Sequence, residues 1–310
     1  MRIAFLGTPA FAVPTVAALS DAGHAIVAVV AQPDRPAGRG QALRAPATKT
    51  WAEARRIPVL QPEKVRDGSL AAALAPLAPD VLVVTAYGRI LGKDLLTLAP
   101  HGAVNVHASL LPRWRGAAPI QWSVASGERE TGVSIMAMDE GLDTGDVLLQ
   151  RTLAIGDDET AEALSPRLAA LGGDAIVEAL ATLERGRSVP VRQDPARATL
   201  APILKREDGR VDWGRSARAI HDRLRGFTPW PGAWTTLDGK LLKILEARVV
   251  ADAGAADAPG HGVVAGGGIV VRCGEGTALS LERVQLEGKA PASAADLANG
   301  LRRKAFGFGT

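Results

Sequence analysis

Apolar residues in the first half of the chain occur in short continuous runs, separated by polar segments that contain glycine. The clearest runs are residues 2–6, 24–30 and 80–87, and each has the length of a strand that is covered on both faces. Apolar positions with helical spacing lie between the runs, over residues 11–19, 48–56 and 69–77. Buried strands that alternate with helices predict an α/β domain with a doubly wound, mostly parallel sheet.

Three further elements complete this first domain. Residues 131–138 and 147–153 predict two antiparallel strands at the sheet edge, and residues 160–185 predict a helix that covers the sheet. Pro166 and the pair Gly172 and Gly173 predict breaks in that helix. The glycine fingerprint of dinucleotide-binding domains is absent after the first strand, so no nicotinamide cofactor is expected.

The pattern changes after a proline-rich stretch. Residues 189–204 predict a linker between a first domain, 1–188, and a second domain, 205–310. A helix over residues 212–226 and short strands separated by glycine-rich turns predict a small five-stranded β-barrel of the oligonucleotide-binding (OB) type, with a generic β domain as the alternative. The expected strands are 233–237, 240–245, 262–264, 269–273 and 278–284. Residues 302–304 are basic and are interpreted either as a phosphate contact or as an irregular tail.

Candidate chemistry begins at Asn105. The sequence around it alternates as a strand, so Asn105 and His107 project from the same face. Pro112 ends the ladder because proline lacks the amide hydrogen, and a helix is predicted to begin near Pro119. An amide donor and an imidazole therefore lie at the end of a strand, where open α/β sheets place their sites.

Asp143 is the candidate partner of His107. It lies in a polar loop with several glycines, between two predicted strands. The residues alone leave two interpretations open: a catalytic triad of Asn105, His107 and Asp143, or structural residues at a strand end and in a turn.

Three motifs, at residues 105–107, 109–112 and 141–145, together resemble the signature of the folate-dependent formyltransferases. The longer match over residues 109–121 is most similar to the members that act on methionyl-tRNA, and the resemblance covers nearly the whole chain. It implies a Rossmann-like catalytic domain followed by an OB-like tRNA-binding domain. It also implies transfer of the formyl group of 10-formyltetrahydrofolate to the amino group of initiator methionyl-tRNA, in translation initiation.

Roles for the three candidate catalytic residues follow from this chemistry. The Asn105 carboxamide would donate a hydrogen bond to the formyl oxygen as negative charge develops there. His107 would act as a second donor or accept the amine proton, and Asp143 would fix its tautomer and stabilise the imidazolium, or act as a base through water. These alternatives remain open.

The resemblance assigns two segments to the folate donor. The expected contacts are Ser109, Leu110, Leu111 and Pro112, as a floor, and Tyr87, Gly88, Arg89 and Ile90, in the loop after residues 80–87. From the pattern alone, the first segment is equally a plain turn, and Arg89 equally a charge that faces solvent.

A basic loop provides the candidate RNA contact. Residues 32–41 contain two prolines and two glycines, which predicts a mobile surface loop. Arg35, Arg39 and Arg44 are suited to phosphate contacts, and a solvated connector is the alternative. The resemblance implies that these arginines bind the acceptor arm of the tRNA.

Composition adds limits to this interpretation. A chain of 310 residues suggests two domains, and its single cysteine, Cys273, predicts a buried apolar role, no intramolecular disulfide and a reducing, cytoplasmic environment. No signal peptide or membrane-spanning segment is expected, nor a metal site, since the five histidines are scattered. A monomer is expected. The net charge is +3, and the positive excess resides in the last third: 16 Lys and Arg face 12 Asp and Glu from Lys205 onward, against 20 and 21 before it. This distribution is a weak indication of a polyanionic partner, with a solvated face as the alternative.

Two alternative functions remain at this stage. One is a formyltransferase that acts on a sugar or a purine-precursor amine, which would not need a basic loop and a barrel. The other is a non-catalytic RNA-binding protein, which would not need Asn105, His107 and Asp143.

Overall fold

The computed structural model describes residues 1–37, 42–251 and 258–309. The chain forms two compact units. The first consists of Met1–Pro119, Glu130–Ala154 and Ser165–Pro202, and the second of Ile120–Arg129, Ile155–Leu164 and Ile203–Thr310.

A twisted seven-stranded sheet forms the centre of the first unit. Its strands are β1 Arg2–Gly7, β2 Ala25–Val30, β5 Val59–Leu60, β6 Val81–Thr85, β7 Ala103–His107, β9 Glu130–Ala137 and β10 Val147–Ala154. The strand order is β10-β9-β7-β6-β1-β2-β5, and neighbours pair in parallel except at β7–β9 and β9–β10. Side chains of β1 and β6 are buried on both faces. The predicted doubly wound sheet with an antiparallel edge is confirmed.

The chain direction reverses beside β1. The strands proceed outward from β1 through β2 to β5, and the chain then returns to the other side of β1 to form β6 and β7. Ligands bind at the carboxyl ends of strands near such a switch point. Gly7 and Thr85 lie at these ends, and a β-carbon added at Gly7 would lie 2.8 Å from the Thr85 carbonyl oxygen.

Helices occur in both units. They are α1 Val13–Asp21, α2 Ala47–Glu53, α3 Ser69–Leu74, α4 Lys93–Leu96, α5 Pro119–Ala125, α6 Ala161–Glu184, α7 Ala217–Phe227 and α8 Ala294–Leu301. Pro119 is the first residue of α5, as predicted. None of the helices in the described ranges has the length and apolarity needed to cross a membrane.

Helix α6 is continuous, so the predicted breaks at Pro166, Gly172 and Gly173 are wrong. Pro166 lies inside the helix, where its missing N–H removes one backbone hydrogen bond, and the helix nevertheless continues through it. The glycines are there for packing: a β-carbon at Gly172 would lie 2.9 Å from Cγ1 of Val106, and one at Gly173 would lie 3.0 Å from the Pro14 carbonyl oxygen. Close approach to β7 and α1 thus overrides the low helix propensity of glycine.

The second unit contains a closed β-barrel. Its strands are β12 Ala233–Leu237, β13 Lys240–Val250, β14 His261–Ala265, β15 Gly268–Arg272, β16 Ala278–Leu286, β17 Ala292–Ser293 and β18 Ala305–Gly309. The order β13-β12-β18-β14-β15-β16 closes by pairing of β13 with β16, and β17 adds to β16. Trp213 is fully buried in the core of this unit. The barrel is confirmed, but it has six strands instead of the predicted five, because residues 305–309 form a strand.

The basic loop has regular ends. Strands β3 Arg35–Ala37 and β4 Ala42–Arg44 pair antiparallel, with Arg35 opposite Arg44. Within the predicted surface loop, residues 35–37 therefore form a short strand, and its partner strand follows the loop. Arg39 lies outside the described residues.

Candidate active site

Strand β7 carries Asn105 and His107 on one face. Asn105 pairs with Val84 of β6 and Met136 of β9, and His107 pairs with Ser134 of β9, so both residues are held in the interior of the sheet. The Asn105 side chain is half-buried, whereas the His107 side chain is 6% exposed. Within the described part of the chain, the Asn105 carboxamide makes no hydrogen bond, so it is free to donate to a ligand.

Both ring nitrogens of His107 face oxygen atoms. Nε2 lies 3.0 Å from the carbonyl oxygen of Trp114, and Nδ1 lies 3.7 Å from Oδ2 of Asp143. Because a carbonyl only accepts hydrogen bonds, the Trp114 contact requires the hydrogen on Nε2. The neutral ring therefore presents its lone pair on Nδ1, on the side of Asp143. In the neutral ring, this tautomer is selected by the backbone carbonyl of Trp114.

Asp143 lies in a loop between β9 and β10, and its backbone is in the left-handed region at φ 52°. Its Oδ2 accepts a hydrogen bond of 2.8 Å from the amide of Gly116. The side chain is 15% exposed, so the carboxylate is accessible while the imidazole is almost covered. At 3.7 Å, the contact with His107 is longer than a hydrogen bond, and such contacts in unliganded sites often tighten on binding.

The structure therefore brings His107 and Asp143 together and places Asn105 on the same face of β7. The arrangement offers, at a strand end, an amide donor that is unpartnered within the described ranges and an imidazole with a carboxylate beside it. It is suited to stabilising an oxygen that becomes negative and to accepting a proton from a nucleophile.

Residues 109–113 form a tightly held turn with a cis bond between Leu111 and Pro112. Ser109 is fully buried, and its hydroxyl donates to the Arg113 carbonyl. Ser134 accepts from the Leu111 amide and donates to the Ser109 carbonyl. Ser134 was not identified from the sequence, because a serine inside an apolar strand has no distinguishing pattern.

At the start of loop 87–90, the backbone makes the contacts, because the Tyr87 side chain is buried. The Tyr87 side chain is 2% exposed in the core, and the Tyr87 carbonyl accepts from Thr8 Oγ1 and Gln32 Nε2. Gly88, Arg89 and Ile90 line an open groove of about 630 Å³ together with residues 63–67. Asn105, His107 and Asp143 do not line this groove.

Gln193 holds the Asp143 loop by hydrogen bonds and is itself held by Arg115. Nε and Nη2 of Arg115 donate to Oε1 of Gln193 at 3.0 and 2.8 Å. Nε2 of Gln193 donates to the carbonyls of Asp143 and Gly145 at 2.9 and 2.7 Å. Gln193 was missed, because it lies in the proline-rich stretch interpreted as a linker.

The proline-rich stretch also contacts residues 114–116, whose backbone binds His107 and Asp143. Strand β11, Leu200–Ala201, pairs in parallel with β8, Arg115–Gly116, and Thr199 Oγ1 accepts from the Trp114 amide. A β-carbon at Gly116 would lie 2.6 Å from the Ala201 carbonyl oxygen, so only glycine allows this approach.

The candidate RNA contacts differ in their surroundings. Arg35 is exposed and donates to Oε1 of Gln32, and Arg44 is exposed without a partner among the described residues. Across the same described ranges, no group of three or more His, Cys, Asp and Glu residues is arranged to hold a metal ion.

Comparisons with known proteins match this chain to formyltransferases in both of its parts. The formyl transferase family model matches residues 1–180, and the model for the formyl transferase C-terminal domain matches residues 203–302. The methionyl-tRNA formyltransferase of Anaeromyxobacter dehalogenans is 74% identical over 312 residues and covers 100% of both chains.

Solved structures share the fold at low identity. An N-formyltransferase from Helicobacter canadensis has a TM-score of 0.68 at 15% identity, covering 91% of this chain and 98% of that one. Methionyl-tRNA formyltransferase from Clostridium thermocellum has a TM-score of 0.52 at 17% identity, covering 92% and 98%. By the family models and the full-length identity, the chain belongs to the formyltransferase family, among the methionyl-tRNA formyltransferases.

Proposed function

We propose that this chain transfers the formyl group of 10-formyltetrahydrofolate to the free amino group of initiator methionyl-tRNA, with Asn105, His107 and Asp143 as the catalytic residues. The observation that carries this proposal is the approach of the Asp143 carboxylate to Nδ1 of His107 at 3.7 Å, beside the carboxamide of Asn105, which has no hydrogen-bond partner among the described residues. Family membership supports the reaction class.

The residues present fit a folate donor. Asn105 offers an amide without a protein partner in the described ranges, and the Helicobacter canadensis relative was solved with folinic acid. In the proposal, the backbone at Tyr87 and Gly88, with Arg89 and Ile90, holds the pterin, and residues 109–112 form the floor. When bound, 10-formyltetrahydrofolate supplies an electrophilic formyl carbon.

Asn105 is assigned to the formyl oxygen. Its carboxamide N–H donates to that oxygen as the amine adds and negative charge develops there. The amine needs no covalent activation, because a free α-amino group has a pKa of about 8 and is partly neutral at pH 7.

His107 and Asp143 are assigned to the proton. Nδ1 of His107 accepts a proton from the attacking amine, and Asp143 pairs with the imidazolium that results. The new carbon–nitrogen bond forms on the substrate as the bond to the donor nitrogen breaks, and that nitrogen takes up a proton. Asp143 acting as a base through water remains the alternative within this mechanism.

The setting of the reaction belongs to the same proposal. Arg35, Arg39 and Arg44 bind the acceptor arm, and the second domain adds tRNA contacts. The protein acts as a cytoplasmic monomer in translation initiation. The domain boundaries are proposed as 1–188 for catalysis, 189–204 for the connection and 205–310 for tRNA binding.

An acceptor competition tests the function. The protein is incubated with a folate donor labelled in the formyl group, together with methionyl-tRNA, an aminosugar nucleotide and glycinamide ribonucleotide. We expect label in the methionyl ester of the tRNA alone. Label in either small amine with none in the tRNA would replace this proposal with a small-amine formyltransferase.

A further inference from the structure

Gln193 is the centre of a set of hydrogen bonds that hold Asp143, the carboxylate beside His107. Arg115 donates twice to Oε1 of Gln193, and Nε2 of Gln193 donates to the carbonyls of Asp143 and Gly145. Gly116, the residue after Arg115, donates to the Asp143 carboxylate. The dipeptide Arg115–Gly116 therefore holds the Asp143 side chain directly, through Gly116, and the Asp143 backbone indirectly, through Gln193.

The orientation of the Gln193 amide is determined by its partners. A guanidinium only donates, so the oxygen must face Arg115, and carbonyls only accept, so the nitrogen must face the Asp143 loop. Arg115 and Gln193 are 9% and 7% exposed. At such burial, hydrogen bonds are strong and an unmade one is costly, so each contact strongly constrains the next.

Asp143 needs such support. A non-glycine residue at φ 52° is in a conformation that persists only when its surroundings enforce it. The hydrogen bonds from Gln193 fix the peptide groups that follow Asp143 and Gly145, and therefore the direction in which the Asp143 side chain leaves the backbone.

We propose that Gln193 is a positioning residue, which holds the Asp143 carboxylate in place beside His107; this inference rests on the proposed formyl transfer. Gln193 lies in the segment between the two family-model matches. In this proposal, that segment therefore supplies part of the active site. Gln193 does not touch the substrates and acts through Asp143.

Two variants separate the contacts of Gln193. Gln193→Glu can still accept from Arg115 but cannot donate to the two carbonyls. Gln193→Met has nearly the same shape and makes neither contact. Val191→Ala is the control, because this neighbouring side chain is 63% exposed.

Single-turnover formylation of methionyl-tRNA is measured for each variant, with thermal unfolding to establish that it is folded. We expect a loss of rate of about 30-fold to 100-fold in both Gln193 variants, with KM for both substrates within about threefold of normal, because misplacement near 1 Å costs about that much. Val191→Ala should be unchanged. If Gln193→Met does not fold, the Gln193→Glu result decides.

A double-mutant cycle distinguishes positioning from a general structural role. In an Asp143→Asn background, the further change Gln193→Glu should cost less than about threefold. Full activity of the Gln193 variants, or an equal loss in both backgrounds, would overturn this inference while leaving the proposed function intact. Absence of formylation by the unaltered chain would reject the proposed function itself, and this inference with it.

Discussion

Individual residues in this protein are often held by backbone groups rather than by other side chains. The Trp114 carbonyl determines the His107 tautomer, and the Gly116 amide holds the Asp143 carboxylate. The backbone of Trp114 is itself in the left-handed region, at φ 63°. Such contacts leave little trace in the sequence, because any residue type provides a carbonyl.

Cys273 gives a test at this scale. It is 2% exposed, and burial raises the pKa of its thiol to about 12, so the reactive thiolate is nearly absent at neutral pH. We expect the folded protein at pH 8 to resist iodoacetamide and to take up one label after denaturation in guanidinium, as read by mass spectrometry. Complete labelling of the folded protein would contradict the buried position.

At the scale of elements, the strand that carries the candidate site is packed against a glycine. Val106 lies between Asn105 and His107, and its side chain occupies the space over Gly172 of α6. The close contact between helix and strand limits how far β7 can move. Packing of α6 therefore bears on the position of both candidate catalytic side chains.

Gly172→Ala should destabilise the protein by about 1–2 kcal/mol, because overpacking outweighs the gain of about 1 kcal/mol in helix propensity. Gly300→Ala in α8 is the matched control: its β-carbon would meet nothing within 4 Å, so it should be neutral or stabilising. Urea unfolding measures both. A second change, Val106→Ala, should relieve part of the cost at Gly172. Equal stabilisation by the two glycine replacements would contradict the close packing.

Some elements were predictable and others were not, for identifiable reasons. The buried strands of the sheet and the shared face of Asn105 and His107 follow from local apolar patterns. The alternation of Phe306 and Phe308, which are both buried, is typical of a strand and could have predicted β18. The glycines between and after them favour a turn and masked this pattern. The role of Gln193 could not be predicted, since its four hydrogen bonds join residues that are distant in sequence.

At the scale of the whole molecule, the net charge is small, but positive charge is concentrated at the hairpin of β3 and β4. The net charge is +3, yet the hairpin places Arg35 directly opposite Arg44. Two exposed cations on adjacent strands attract phosphate groups more effectively than the same charges dispersed over the surface. This pairing supports the proposal that the hairpin contacts the tRNA backbone.

Replacing Arg35 and Arg44 together by Ala should raise KM for methionyl-tRNA several-fold, without changing KM for the folate donor. The slope of log affinity against log salt should decrease by about one for each phosphate that the hairpin no longer neutralises. The control is Arg187→Ala, which removes an exposed cation outside the hairpin. An unchanged salt slope in the hairpin variant would contradict a phosphate contact there.

The catalytic assignment is tested most directly by the single-turnover rate of Asn105→Ala at saturating donor and methionyl-tRNA. If the Asn105 carboxamide stabilises the negative charge on the formyl oxygen, the rate should fall by about 100-fold or more. Binding of the folate donor and the thermal unfolding temperature should remain close to normal. A rate within a few-fold of the unaltered protein would contradict the assignment of Asn105, and with it the active site proposed at the end of β7.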